Sequence, residues 1–263
     1  MTSGLEPFYR LTENGDLVPT PLAAGPPWMP SLQHGSMVTA LLARAIEAAP
    51  SAAPMRLARL TVELARAVPM GPTQVEVKAT RDGRRLQAFD AHVVVEGEVR
   101  ARGTALRIRT HDQLVDARHS PAAWPDDVVV VRPEDANAPS PMGPDLLWDA
   151  HQARWEDATP GAGRVWLRPR HPLVQGEPIT PTVRVAMVAD LVMSSGGLLP
   201  IDDYVVINPD LTLALTRLPA GEWVSLRSRV RLGADGLGQS EGALFDEHGF
   251  FGRVLKSLLV DRR

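Results

Sequence analysis

The sequence predicts an α+β protein made of two copies of one module, each with a long helix packed against an antiparallel sheet. The first observation is a repeated heptapeptide. Residues 60–66 read Leu-Thr-Val-Glu-Leu-Ala-Arg and residues 211–217 read Leu-Thr-Leu-Ala-Leu-Thr-Arg, 151 residues apart. The second observation is that the flanking sequences also match at a similar spacing. Val75–Lys78 corresponds to Val224–Arg227, Asp82-Gly83 to Asp235-Gly236, and Glu96-Gly97 to His248-Gly249. Solenoid repeats are roughly 20–50 residues long, so this long period indicates duplication of a whole module.

The first module opens with a predicted hairpin, because Asn14-Gly15 is a strong tight-turn signal between two short apolar runs. A helix is predicted over residues 33–47, where apolar residues recur at helical spacing until Pro50 ends the pattern. Over residues 57–108 apolar and polar residues alternate, which predicts four strands joined by short turns. Antiparallel strands that follow one another need no crossover helices, so we expect no doubly wound sheet.

The second module repeats this order after a segment rich in proline and aspartate, which we interpret as a linker. We therefore place the N-terminal module at residues 1–110, the linker at 111–145 and the C-terminal module at 146–263. The second helix, of about 14 residues, follows Thr180-Pro181, which suit a helix cap and first helical position. Strands are predicted from Val205 to the end of the chain.

Composition narrows the class of protein. The chain of 263 residues contains no cysteine, which excludes disulfides, thiol nucleophiles and cysteine-based metal sites. Its net charge of −3 gives no general attraction to nucleic acid or to an anionic membrane. The N-terminal segment lacks a signal-peptide pattern, and no apolar run approaches the ~18 residues that a membrane span needs. We expect a cytoplasmic protein without nucleic-acid or membrane partners.

One carboxylate stands in an apolar setting. The second predicted helix, over residues 183–197, is apolar almost all round and carries Asp190 near its middle. Burying a carboxylate is unfavourable unless it is hydrogen-bonded or paired. The residue is therefore either structural, bonded to the backbone or to an arginine, or functional, acting as an acid/base or orienting a water molecule. The residues themselves leave both interpretations open.

The chain resembles the double hotdog acyl-CoA thioesterases of the TesB type over roughly residues 15–260. Three features carry the resemblance. His34-Gly35 opens the first helix, Arg81-Asp-Gly-Arg84-Arg85 lies in the first sheet, and the second helix contains an aspartate. The resemblance implies a tandem (double) hotdog, in which each antiparallel sheet wraps a long helix. It also implies hydrolysis of an acyl-CoA substrate to a free acid and CoA, without a metal or redox cofactor.

By this resemblance Asp190 matches the family's catalytic aspartate, and Asn208 and Lys256 match a threonine-like residue and a glutamine that work with it. An asparagine amide can still hold a water molecule. Lys256 departs from the family pattern. It lies on the last strand and, by period two, on the same face as Val254 and Leu258. We expect its ammonium to pair with Asp190, favour the ionised carboxylate and crowd the water. The alternative is a solubility lysine on an edge strand.

The resemblance also assigns groups that bind the substrate. His34 and Gly35 match the family's His-Gly at the helix start, where backbone N–H groups favour a polarised carbonyl oxygen, although His34 could equally be structural. Arg81, Arg84 and Arg85 flank a tight turn and suit the phosphates of CoA, although a solvated hairpin also accounts for them. Two fused modules supply the pairing that single hotdogs obtain by dimerising, so a monomer and a homodimer are both open.

Three other functions compete with a thioesterase that uses Asp190. The first is a serine hydrolase. Gly238-Gln-Ser240-Glu-Gly242 fits its nucleophile pattern Gly-x-Ser-x-Gly, but that motif needs a following helix, and a strand and turn follow here. His171-Pro-Leu-Val-Gln-Gly176 is weakly similar to a hotdog dehydratase motif, with one residue too many between histidine and glycine. The third is a non-catalytic acyl-CoA-binding protein, in which Lys256 would mark the loss of turnover.

Overall fold

The computed structural model describes residues 4–25, 29–111, 114–115, 131–141, 150–197, 199–200 and 202–263. Thirteen strands in these ranges form one sheet, and all of its strand pairs are antiparallel. The N-terminal half contributes β1 (Tyr9–Leu11), β2 (Leu17–Pro19), β3 (Met55–Glu63), β4 (Thr73–Asp82), β5 (Leu86–Val95) and β6 (Glu98–Arg109). The C-terminal half contributes β7 (His151–Thr159), β8 (Ala162–Pro169), β9 (Tyr204–Ile207), β10 (Asp210–Leu215), β11 (Val224–Leu232), β12 (Leu237–Asp246) and β13 (Gly249–Arg262).

The α-helices of the described chain are α1 (Gly35–Ala48), α2 (Pro181–Ala189) and α3 (Val192–Ser195). The first two begin at side-chain caps: the His34 ring accepts a hydrogen bond from the N–H of Ser36, and the Thr180 hydroxyl accepts one from the N–H of Val183. The predicted cap at Thr180-Pro181 is therefore confirmed. None of these described helices has the length and apolarity to cross a bilayer.

The order of strands shows that the two halves are related by a pseudo-twofold axis. The sheet runs β1-β2-β4-β5-β6-β3 and continues β10-β13-β12-β11-β8-β7, so the same succession is met from either end. The thirteenth strand, β9, pairs with β13 outside this succession. Strands β3 and β10 meet at the centre, and they contain the first residues of the two repeated heptapeptides. Thr61 lies opposite Thr212 in this pairing, with their hydroxyl oxygens 3.2 Å apart. The predicted duplication is thus present in the topology.

The apolar core is continuous across both halves. Buried side chains of α1, such as Leu41 and Leu42, belong to the same cluster as Val185 and Met187 of α2 and the inner faces of the strands. Helix α1 packs directly against α2. This arrangement places the two long helices side by side beneath one curved sheet, so a residue on one helix can form a site with the end of the other.

The second helix differs from its prediction, because it is broken rather than continuous. Helix α2 ends at Ala189, and Asp190 and Leu191 form a turn before α3 begins. At Asp190 φ is −69° and ψ is −18°, and at Leu191 φ is −75° and ψ is −1°. These dihedral angles depart from the α-helical mean near ψ −42°, which releases backbone carbonyls from the helical hydrogen-bond pattern. Asp190 is therefore at the end of a helix rather than in its middle.

Part of the predicted linker packs on the C-terminal half. Residues 133–135 form a 3₁₀ turn, the N–H of Ala138 donates to the carbonyl of Trp155 at 2.8 Å, and the indole of Trp166 donates to the carbonyl of Val131 at 2.9 Å. Residues 131–141 thus lie against β7 and β8 instead of forming a free connection. Residues 112–113, 116–130 and 142–145 of that prediction, and residues 146–149 at the start of the predicted C-terminal module, lie outside the described residues.

Candidate active site

Irregular pieces of backbone meet at one place in the core. The break between α2 and α3 presents Asp190, the start of α1 presents His34 and Gly35, and an interruption between β9 and β10 presents Asn208. The uninterrupted strand β13 runs beside that interruption and carries Lys256 on its inner face. In a regular helix or strand the backbone N–H and C=O groups pair with one another. At breaks of this kind such groups are left available for other contacts in the interior.

Asp190 and Lys256 form a buried ion pair. Their residues are 4% and 1% exposed, and Nζ of Lys256 lies 2.6 Å from Oδ1 of Asp190. The same ammonium donates to the main-chain carbonyl of Asp190 at 2.7 Å, which satisfies a carbonyl at the end of α2. The predicted contact between the two residues is present. The alternative of a solubility lysine on an edge strand is wrong, because β13 lies between β10 and β12 and Lys256 is inside.

Asn208 reaches the carboxylate from a gap in the sheet. Strands β9 and β10 both pair with β13, and Asn208-Pro209 lie between them. The Asp210 carboxylate closes the gap by accepting a hydrogen bond from the N–H of Ser257 at 2.6 Å. Because Asn208 lies outside both strands, its side-chain amide can reach Asp190, and it donates to Oδ1 at 3.2 Å. The same carboxylate oxygen is therefore held by an amide and an ammonium.

The start of α1 approaches the other carboxylate oxygen. A Cβ atom added to Gly35 would lie 3.0 Å from Oδ2 of Asp190 and 3.1 Å from Cδ1 of Leu64, so glycine permits this close approach. Nδ1 of His34 is 3.5 Å from Oδ2, and it also accepts the hydrogen bond from Ser36 that caps the helix. A helix N-terminus carries partial positive charge, which favours a carboxylate beside it.

The surroundings fix the protonation of the pair. Burial alone would raise the pKa of Asp190, but the charge of Lys256 and the hydrogen bonds from Lys256 and Asn208 hold that pKa below its usual value. Burial lowers the pKa of Lys256, and the Asp190 carboxylate opposes that shift. The carboxylate is consequently ionised at neutral pH, and it is a weak base because its charge is already neutralised by a neighbour.

The predicted arginines lie elsewhere. Arg81, Arg84 and Arg85 are exposed at the connection between β4 and β5. That connection lies at the C-terminal end of α1, because the amide of Gln87 donates to the carbonyl of Pro50 at 3.1 Å. Helix α1 is about 20 Å long at 1.5 Å per residue, and its opposite end faces Asp190. The structure therefore does not bring the three arginines to Asp190, and their contact with CoA phosphates stays a prediction.

The sequence did not identify Ser240 as a neighbour of Lys256. Ser240 lies directly opposite Lys256 in the pairing of β12 with β13, and it is 0% exposed. The sequence drew attention to Ser240 only as the centre of a nucleophile motif. The residue that lies opposite Ser240 is set by the length of the turn between β12 and β13 and by a register shift near Leu244. The sequence pattern predicts neither of these.

Family models match the two halves of the chain. The model described as the acyl-CoA thioesterase N-terminal domain matches residues 25–108, and the model described as the acyl-CoA thioesterase C-terminal domain matches residues 115–260. The fold and these matches together define a two-domain thioesterase of the double hotdog class. The chain belongs to the acyl-CoA thioesterase family. Membership supports hydrolysis of a thioester in general terms.

Solved structures share the whole fold at low sequence identity. A conserved protein of unknown function with a hot dog fold from Alicyclobacillus acidocaldarius is 15% identical, with a TM-score of 0.74 over 94% of this chain and 92% of that chain. The tesB protein of Mycobacterium avium subs. paratuberculosis is 16% identical, with a TM-score of 0.69 over 94% and 93%. The acyl-CoA thioesterase II TesB2 of Mycobacterium marinum is 16% identical, with a TM-score of 0.66 over 87% and 91%. At such identities the likeness shows the fold alone, and the predicted double hotdog is confirmed. No curated protein sequence matches the chain significantly.

Proposed function

We propose that the protein is an acyl-CoA thioesterase, which hydrolyses an acyl thioester to the free acid and CoA with Asp190 acting on the water. The observation that carries the proposal is the buried carboxylate of Asp190 beside the start of α1. Replacing a buried ion pair with well-packed apolar side chains is often neutral or stabilising. Stability therefore gives no sufficient reason for an acid at this position, whereas catalysis does.

The two carboxylate oxygens suit different tasks. Oδ1 is held by Lys256 and Asn208, and Oδ2 faces Gly35. We assign to the N–H of Gly35 the task of polarising the thioester carbonyl, because the N–H of Ser36 already donates to the His34 ring. Water oriented by Asn208 and Asp190 attacks the carbonyl carbon, and its proton passes to Oδ2. The carbon–sulfur bond then breaks, and the proton is returned to the CoA thiolate.

Lys256 has opposing effects on this reaction. Its charge keeps Asp190 ionised and ready to accept a proton, but it also lowers the pKa of the carboxyl and so weakens the base. We therefore expect turnover that is real but slow. We also propose that the reaction needs no metal or redox cofactor, that it takes place in the cytoplasm, and that the working unit is a monomer or a homodimer.

Release of free thiol tests the proposal. Wild-type protein is incubated with acyl-CoAs of short, medium and long chain, and the CoA thiol is detected with a thiol-reactive dye. Release above the uncatalysed rate on at least one substrate is expected. Binding of acyl-CoA without release would instead support a non-catalytic binding protein. Hydration of an enoyl-CoA without release would support a hydratase, and either result contradicts the proposal.

A further inference from the structure

Ser240 and Lys256 lie next to each other on the buried face of neighbouring strands. They are directly opposite each other in the β12–β13 pair, where Cβ atoms are about 4.5–5.5 Å apart. The face they share is the one covered by helix, because a Cβ added to Gly242, two residues along β12, would lie 2.7 Å from the Val192 side chain of α3. Both residues therefore point toward the helix break that holds Asp190.

Each of the two side chains has hydrogen-bonding capacity that the protein does not use. The hydroxyl of Ser240 has no partner in the described part of the chain. An ammonium carries three N–H donors, and the described contacts of Lys256 use two of them, on Oδ1 and the main-chain carbonyl of Asp190. A buried polar group without a partner is unfavourable, and such groups are normally satisfied by ordered water or by a ligand.

The neighbouring side chains on this face are apolar. Val254 and Leu258 flank Lys256 along β13 and are both buried. An unsubstituted acyl chain against this face would leave the Ser240 hydroxyl and the third N–H of Lys256 unpaired. An oxygen atom on the acyl chain would pair with both, since an oxygen can accept two hydrogen bonds at once. Sites with hydrogen-bonding groups discriminate strongly against ligands that cannot satisfy them.

We propose that Ser240 and Lys256 together bind an oxygen substituent of the acyl group, so that the site selects acyl chains with a hydroxyl or carbonyl oxygen close to the thioester. Ser240 is then a specificity-determining residue, not the nucleophile that its Gly-x-Ser-x-Gly setting resembles. The inference rests on the proposed function for the position of the thioester beside Asp190. Its binding preference does not depend on turnover.

Affinity for matched ligands tests the proposal. The ligands are thioether analogues of butanoyl-CoA and dodecanoyl-CoA, in which a methylene replaces the thioester carbonyl, each prepared with and without a β-hydroxyl group. Calorimetric titration of the wild type is expected to show about tenfold tighter binding of the hydroxylated member of a pair. The Ser240→Ala variant is expected to lose that preference by weakening only the hydroxylated ligand.

Ser225 supplies the matched control. It is a second serine that is 0% exposed with an unpartnered hydroxyl among the described residues, but it pairs with Phe245 and Trp166 rather than with Lys256. Ser225→Ala should keep the preference. Since the Ser240 hydroxyl makes no hydrogen bond within the described chain, Ser240→Ala should melt no lower than wild type.

The remaining outcomes overturn the inference. Equal affinities in the wild type, a preference that survives in Ser240→Ala, or no binding of any analogue would each show that Ser240 and Lys256 do not select an oxygen substituent. A preference for the hydroxylated analogue without thiol release from acyl-CoA would uphold the inference and reject the thioesterase. Thiol release without any preference would do the reverse.

Discussion

Asp190 and Lys256 are buried charges that the ends of two helices help to stabilise. The Asp190 carboxylate lies at the start of α1, and the Lys256 ammonium donates to the main-chain carbonyl of Asp190 at the C-terminal end of α2. Partial charges at helix ends are positive at the start and negative at the finish, so each residue lies beside the favourable end. The pair therefore depends on tertiary structure that local sequence does not specify.

Removing one member of the pair is expected to destabilise the fold. Lys256→Met leaves the Asp190 carboxylate buried without its counterion, and the expected loss is about 3–5 kcal/mol of the free energy of unfolding. Urea unfolding measures it. Lys78 is the only other lysine in the chain, and it is exposed on β4. Lys78→Met is the control, with an expected change within about 0.5 kcal/mol. Equal effects of the two substitutions would contradict the buried pair.

The stability of the fold should also depend on pH through Asp190. Its pKa is lower in the folded protein than in the unfolded chain, so the unfolded chain binds more protons as the pH falls. The stability that the ionised group contributes is present above its unfolded pKa of about 3.9 and is lost as the pH falls through the folded value. The double variant Asp190→Asn/Lys256→Gln removes this ionisation. Between about pH 5 and pH 3 its free energy of unfolding should fall less steeply than that of wild type. Parallel curves would show that the carboxylate is not shifted.

At the scale of elements, the site exists because a helix and a strand are each interrupted. The helix stops before Asp190, and the strand is interrupted at Asn208-Pro209. The periodicity of the sequence predicted the order of helices and strands and the inward face of Lys256. It could not predict the helix break, because the residues around Asp190 have an unbroken helical pattern, and the ammonium that takes the Asp190 carbonyl is 66 residues away.

Gly35 sets the distance between the start of α1 and the carboxylate. Gly35→Ala places a methyl group about 3.0 Å from Oδ2 of Asp190, so either the helix or the carboxylate must move. We expect a loss of about 1–3 kcal/mol in stability and a larger proportional loss in kcat than in substrate affinity. Gly71→Ala is the control, because an added Cβ there makes ordinary contact at 3.5 Å with Val95. Unchanged kcat in Gly35→Ala would remove the helix start from the mechanism.

At the scale of the whole molecule, a salt bridge joins the two halves of the chain. Arg44 lies on α1 in the N-terminal half, and Glu177 lies shortly before α2 in the C-terminal half. Arg44 makes a two-pronged salt bridge to Glu177, with N–O distances of 2.6 and 2.5 Å. The contact thus links the C-terminal part of α1 to the segment that precedes the cap Thr180 of α2.

The salt bridge between the halves should contribute to stability. Arg44→Met is expected to lower the free energy of unfolding by about 1 kcal/mol, since the pair is bidentate but partly exposed. Arg10→Met removes a single exposed contact to Glu6 and serves as the control, with an expected change near zero. Chemical unfolding of both variants decides the matter. A loss no greater for Arg44→Met than for Arg10→Met would show that this salt bridge does not help to hold the halves together.

Prediction from sequence was most complete at this largest scale. The repeated heptapeptides predicted the duplication, and their first residues lie on the two strands that pair across the pseudo-twofold axis. Arg81, Arg84 and Arg85 were predicted to bind the substrate from their motif alone, and the motif does not report which end of α1 the turn adjoins. Ser240 was similarly out of reach, because its partner is set by strand register.

The central claim is that one carboxylate performs the hydrolysis. The variants Lys256→Gln and Asp190→Asn/Lys256→Gln differ only in that carboxylate, and neither carries an unpaired buried ammonium. Their kcat/KM values are compared on the acyl-CoA that wild type hydrolyses best. We predict that the single variant is at least as active as wild type and that the double variant is slower by about a hundredfold or more. Equal activity of the two variants would contradict the account.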